Sequence, residues 1–265
     1  MIISVSRRTD IPAYYSEWFS NRIKERFVFV RNPMNVHQIS KINLSPEKVD
    51  GMVFWTKNPK SMLNKLDLIM DYHFYFQFTL NSYDQDIETK LPRKGEIIET
   101  FKRLSDKIGP NRILWRYDPI LLNDTYTISY HIENFEKIAC ALNGYTKKIT
   151  FSFIDFYKKI IDNIKNLSMK NITIEEKTTI AENLSRIAKK NGFLIDTCAE
   201  NTDFSKYGIT HARCIDDRLI SQIIGYNLDI KKDKNQRLEC GCVKSIDIGE
   251  YNSCSNGCLY CYANY

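Results

Sequence analysis

The densest chemistry in the chain lies almost at its C-terminus, in Cys254-Ser-Asn-Gly-Cys258-Leu-Tyr-Cys261. Three thiolates spaced x3 and x2 cannot close a four-ligand tetrahedral site alone. They can hold three irons of a cubane cluster and leave the fourth iron open. Zinc sites usually draw on two Cys-x2-Cys pairs or on paired histidines. Here the stretch has one x2 pair, and the four histidines, His37, His73, His131 and His211, lie outside it. Four more cysteines crowd the same region: Cys198, Cys214, Cys240 and Cys242. Four thiolates could close a second [4Fe-4S] cluster, the preferred reading, or hold zinc, or be unrelated buried thiols. In Cys240-Gly-Cys242 the glycine allows a close backbone approach and puts two sulfurs on one face. Cys140, alone in a helical pattern, reads as a core cysteine.

Composition limits what surrounds these thiols. Forty-three per cent hydrophobic and 26% charged residues are globular values, which exclude disorder. The apolar runs are too short to span a bilayer, and the first residues lack the pattern of a secretory signal. A cytoplasmic protein with no membrane partner is expected. In a reducing compartment eight cysteines serve metal or cluster ligation better than disulfides. The net charge of +6 is mild, so a nucleic-acid partner is compatible with the chain but not indicated by it. The basic run Lys231 to Arg237 reads as a solvated loop.

The elements that must position the thiols alternate strand and helix. β-rich runs occur at residues 2–6, 51–56, 73–79, 111–117, 148–154 and 193–197. Helical patterns fall between them, at about 13–25, after Pro59, from 96 to a Gly109-Pro110 stop, at 127–143, and after the Thr173–Glu176 capping box. Residues 27–30 and 35–39 read as an inserted β-hairpin around Asn32-Pro33. Six such units predict a parallel sheet with right-handed crossovers. The fold expected is α/β, a (β/α)6 partial barrel of the TIM type. Residues 1–225 form the barrel, and residues 226–265 form a cysteine-rich tail packed over its mouth in the same globular unit. Ser245 to Gly249 would be a short strand carrying the tail back.

Chemistry in parallel β/α folds gathers at the C-terminal ends of the strands. Those ends deliver Arg8 and Asp10, then Thr56, Lys57 and Asn58, then Thr79, and then Arg116 and Asp118. Arg8 and Asp10 are the candidate substrate-binding pair.

The Cys-x3-Cys-x-aromatic-Cys pattern, with Tyr260 at the aromatic place, resembles the cluster loop of radical S-adenosylmethionine (SAM) enzymes. That loop usually lies near the N-terminus. Its C-terminal position here is similar to one bacterial family of unknown function. Arg116-Tyr-Asp118-Pro119 more distantly resembles a fourth-strand segment of the spore photoproduct lyase branch. The resemblance implies a [4Fe-4S] cluster on Cys254, Cys258 and Cys261, with SAM at the open iron. It also implies a reductant such as ferredoxin or flavodoxin. Reductive cleavage of SAM would give a 5′-deoxyadenosyl radical that takes hydrogen from an unknown substrate. SAM would be held by Thr56, Lys57, Asn58, Thr79, Arg116 and Asp118, with Tyr260 beside the cluster. Two other functions stay open on the residues alone. One is an iron–sulfur electron-transfer or binding protein that does not cleave SAM. The other is a zinc-stabilised nucleic-acid-binding domain using Tyr14, Tyr15 and Trp18.

Overall fold

A computed structural model describes residues 1–264. The first part runs β1 (Ile2–Val5), α1 (Ile11–Tyr14), α2 (Ser16–Glu25), the hairpin strands β2 (Phe27–Asn32) and β3 (Asn35–Asn43), and β4 (Gly51–Thr56). A 3-10 stretch at Pro59–Ile69 leads to β5 (Phe74–Thr79), α3 (Lys94–Ile108), β6 (Ile113–Ile120), α4 (Ile128–Ala141) and β7 (Lys148–Phe153). The chain ends with α5 (Ile161–Ile164), α6 (Ile174–Lys190), β8 (Leu194–Thr197), β9 (Thr210–His211), α7 (Asp217–Ile224) and β10 (Ile246–Asp247).

Eight strands form one sheet in the order β10-β1-β4-β5-β6-β7-β8-β9, and every neighbouring pair in it is parallel. The expected partial barrel is not what forms. The edge strands β10 and β9, two residues each, do not pair with one another. The architecture is an open α/β sheet, Rossmann-like rather than TIM-like. The reason lies in the limits of periodicity: alternating strands and helices, with strands buried on both faces, look alike in open and closed parallel sheets. The hairpin of β2 and β3 stands apart as its own antiparallel sheet, as expected.

Alternation along the strands gives the sheet two unlike faces. One face carries Val5, Phe54, Phe76 and Trp115 into a large apolar core under the helices. The other begins apolar, with Ile2, Val53, Tyr75 and Leu114 packed against Ile220 of α7. Further along β5 and β6, and across β7 and β8, it turns polar, with Gln77, Arg116, Thr150 and Asp196 all buried. The tail returns as β10, parallel to β1, within the predicted 245–249 stretch. Local signals fix the helices: Thr173 and Glu176 complete the capping box of α6, and Asp216 caps α7. Among the described residues, no helix is long and apolar enough to cross a membrane.

Candidate functional site

A cavity of about 670 Å³ opens where the polar halves of the strands end. This is the position at which open parallel sheets bind ligands. Cys254, Cys258 and Cys261 line it, and so do Cys198, Cys214, Cys240 and Cys242. Arg8, Asp10, Thr56, Lys57, Thr79, Arg116, Asp118 and Tyr260 also line it. Residues from Arg8 to Cys261, near opposite ends of the chain, are therefore brought to one wall. Asn58 is the predicted residue that does not reach the cavity. It caps the 3-10 stretch, and its N–H donates to the Thr56 hydroxyl at 3.1 Å. Cys140 is exposed rather than in the core, because α4 buries Phe135, Ile138 and Ala139 and so turns residue 140 outward.

The tail loop is held from several sides. Leu259 N–H donates to Ile87 O at 3.0 Å, and Glu88 and Cys258 form an antiparallel bridge. Asn256 donates to Asp10 at 3.0 Å. The hydroxyls of Tyr14 and Tyr15 donate to Asn256 Oδ1 and Ser253 O, at 2.9 and 2.5 Å. These two tyrosines thus anchor the tail, while Trp18 is exposed on α2. Leu259 and Tyr260 pack on a small core that includes Tyr83, Ile87 and Leu121. Gly257 sits at φ +65°, and a Cβ there would meet the Thr89 hydroxyl, so the turn requires glycine.

Glu88, which carries no sequence pattern of its own, proves central. Its side chain is 1% exposed and accepts from Lys57 Nζ at 2.7 Å, from Lys94 and from Tyr260. Lys57 also donates to the Tyr260 hydroxyl at 2.7 Å. Burial works against the Glu88 carboxylate, but the two ammonium groups outweigh it and hold its pKa below the usual range. Lys57 is pushed up in turn: burial opposes its charge and Glu88 restores it.

Several predicted contact residues are engaged by the chain itself. Asp10 caps α1 through Ala13 N–H at 3.0 Å and accepts the Lys57 N–H at 2.8 Å. With Asn256, it ties the ends of β1 and β4 to the tail loop. Burial pushes its pKa up against those hydrogen bonds. Arg116 donates through Nε to Asp118 at 3.0 Å, and its Nη1 lies 2.9 Å from the Cys214 sulfur. Its guanidinium stacks 5.2 Å from the Trp55 ring centre. Asp118 is held ionised, because Arg116 and Ser152 overcome the cost of burial. Arg8 reaches Gly249 O at 3.3 Å and lies over the Tyr251 ring. Asp247, at the end of β10, accepts from Ser4 Oγ at 2.9 Å and from the Arg7 N–H at 2.8 Å.

Other cavity groups are unclaimed. Among the described residues, Thr9 Oγ1, Trp55 Nε1 and Asn264 Oδ1 are buried polar atoms without a hydrogen-bond partner, and all three residues line the cavity. Such orphans are rare in folded proteins, and these three have hydrogen-bonding capacity that water or a ligand in the cavity can take up. Among the described residues, no group of three or more His, Cys, Asp or Glu side chains is drawn together as it would be around a single metal ion.

Over residues 2–263 the sequence matches the family described as a domain of unknown function, DUF1848. The chain belongs to the DUF1848 family. The match takes in every strand of the sheet and all seven cavity cysteines, so the cavity of this DUF1848 protein is built from family sequence except for Asn264. No curated protein matches it.

Proposed function

We propose that this DUF1848 protein is a radical SAM enzyme, with an iron–sulfur cluster on Cys254, Cys258 and Cys261. One observation supports this above the others: the three thiols share a cavity with unclaimed polar atoms at the carboxyl ends of parallel strands. The donor set fits a cubane with one open iron, since three soft ligands face a space large enough for a further ligand. When bound, the cluster and SAM would supply reductive cleavage of the sulfonium and abstraction of a substrate hydrogen.

The chain's own part is orientation and shielding. Lys57, Glu88, Lys94 and Tyr260 fix the loop that carries Cys258 and Cys261. Asp10 and Asn256 fix the turn between Cys254 and Cys258. Because Arg116 and Asp118 are already paired, they shape the floor of the cavity and carry charge there. Thr9, Trp55 and Asn264 are the groups left to hydrogen-bond SAM or substrate. A reductant such as ferredoxin or flavodoxin is the partner this chemistry needs.

The test is electron paramagnetic resonance on anaerobically reconstituted, dithionite-reduced protein. Adding SAM should change the g-values of the reduced cluster, because SAM takes the open iron. A spectrum identical with and without SAM would instead favour a cluster that only carries electrons.

A further inference from the structure

The proposed cluster uses three of the seven thiols around the cavity. The other four arrive on three separate segments: Cys198 just after β8, Cys214 after β9, and Cys240 with Cys242 from the tail. Cys214, Cys240 and Cys242 are buried, and Cys198 is half-buried. The Cys198 and Cys214 sulfurs lie 3.3 Å apart. Cys214 and Cys240 are the thiols that act on Cys242, whose sulfur accepts the Ile215 N–H at 3.4 Å. Arg116 places its guanidinium against Cys214, with Nη1 2.9 Å from that sulfur, and Cys198 is a neighbouring group.

The backbone carrying these sulfurs is tied down. Cys198 N–H donates to Phe151 O at 2.9 Å, and Asp233 N–H donates to Cys242 O at 2.9 Å. The Cys214 carbonyl accepts from Tyr75 at 2.7 Å and from Gln77 at 2.8 Å. A Cβ on Gly241 would lie 2.9 Å from Ala212 O, so only glycine lets the two loops approach this closely.

We propose that Cys198, Cys214, Cys240 and Cys242 form a closed four-thiolate site for one zinc ion, distinct from the tail loop. A Zn–S bond of about 2.3 Å sets sulfur–sulfur edges of about 3.8 Å in a tetrahedron. The Cys198–Cys214 separation of 3.3 Å is close to that scale. A cubane would hold its cysteine sulfurs well out of mutual contact, with iron and sulfide between them. As they stand, the Cys198 and Cys214 sulfurs are in contact, with Cys242 and Cys240 as neighbours, and among the described residues the four do not yet form a shell around one point. Small side-chain rotations close it, since the backbone already brings all four together. Arg116 offsets part of the negative charge that four thiolates carry around a divalent ion. The site has no open position. It pins β8, the β9 loop and the tail to one another, whether or not the tail loop holds a cluster.

The test uses the full chain with Cys254, Cys258 and Cys261 all changed to Ser, purified without added iron. About one zinc per chain and no visible colour are expected. Cobalt(II) alone, added to the metal-stripped chain, should give the visible bands of a tetrahedral tetrathiolate. Adding C240S and C242S should abolish both the zinc and the bands. If the triple variant does not fold, zinc-edge X-ray absorption on the unaltered protein replaces it, with four sulfur neighbours at about 2.3 Å expected. Absence of metal overturns the proposal, as do iron with sulfide at this site, nitrogen or oxygen in the zinc shell, or zinc that survives C240S and C242S.

Discussion

Two sets of cysteines meet at one cavity and are held in different ways. The quartet has Cys198 and Cys214 in sulfur contact at 3.3 Å, with backbone bonds to the sheet and neighbouring loops. In the tail trio, Cys258 feels Cys254 and Cys261 as neighbouring charges, and burial pushes its thiol up to about 12. The trio is positioned by partners outside it: Asp10, Tyr14, Tyr15 and Glu88. Under the two proposals, the difference is that between a site closed by its own ligands once zinc binds and one that leaves room for a further ligand. Closed thiolate sites stabilise a fold, and open ones do chemistry.

The largest effect expected from separating the two sets is all-or-none. Changing Cys254, Cys258 and Cys261 to Ser should remove all cluster iron and all SAM cleavage while the zinc content stays constant. Parallel iron and zinc analysis of the purified variant checks it. Loss of both metals together would merge the two sites into one.

A smaller effect concerns the support of the tail loop. Glu88→Gln leaves Lys57 and Lys94 without their buried carboxylate, and should cost about 3 kcal/mol of stability in urea unfolding. The same change at Glu136, whose Lys190 pair is exposed, should leave the urea midpoint where it is. Glu88→Gln should also lower iron occupancy after reconstitution without touching zinc. Equal effects at the two glutamates would remove Glu88 from its positioning role.

The smallest effect lies away from the thiols and serves as a control on both. His131 is fully buried, and its pKa is lowered to about 4, by burial, with the bond to Leu121 acting in the opposite direction. Its Nε2 faces the Leu121 carbonyl at 2.8 Å, which can only accept, so that nitrogen carries the hydrogen. The Tyr117 hydroxyl then donates to Nδ1 at 2.8 Å. As pH falls below about 6.5 the unfolded chain takes up a proton that the folded chain refuses until about 4. Stability contributed by neutral His131 is therefore complete above pH 6.5 and declines on acidification, by roughly 3 kcal/mol at pH 4. Urea unfolding of the wild type and His131→Gln at pH 7 and 4.5 should show a shallower acid loss in the variant. Metal content should be the same for both proteins at pH 7.

Much of this was readable from the chain. The six main strands, the hairpin and the 245–249 return announce themselves through β-rich runs and turn residues. Their polar ends, from Arg8 to Asp118, fall at the cavity because residues at the carboxyl ends of parallel strands share one side of a sheet. Sheet closure was not readable, since nothing local in Ile2–Val5 or Leu194–Thr197 says whether the first and last of the six main strands meet. Side-chain engagement was also hidden. Asp10 is taken up by Asn256, 246 positions away, and Arg116 by Cys214, 98 positions away. Glu88 lies in the irregular segment between β5 and α3, where no periodicity marks it.

The central claim, that the tail trio supports cleavage of SAM, meets its most direct test in one measurement. Anaerobically reconstituted protein is reduced with dithionite, given SAM, and assayed for 5′-deoxyadenosine by chromatography. Formation of 5′-deoxyadenosine and methionine in the wild type, and none in the triple serine variant, is the predicted result. A wild-type protein carrying its full cluster that yields no 5′-deoxyadenosine would contradict the account.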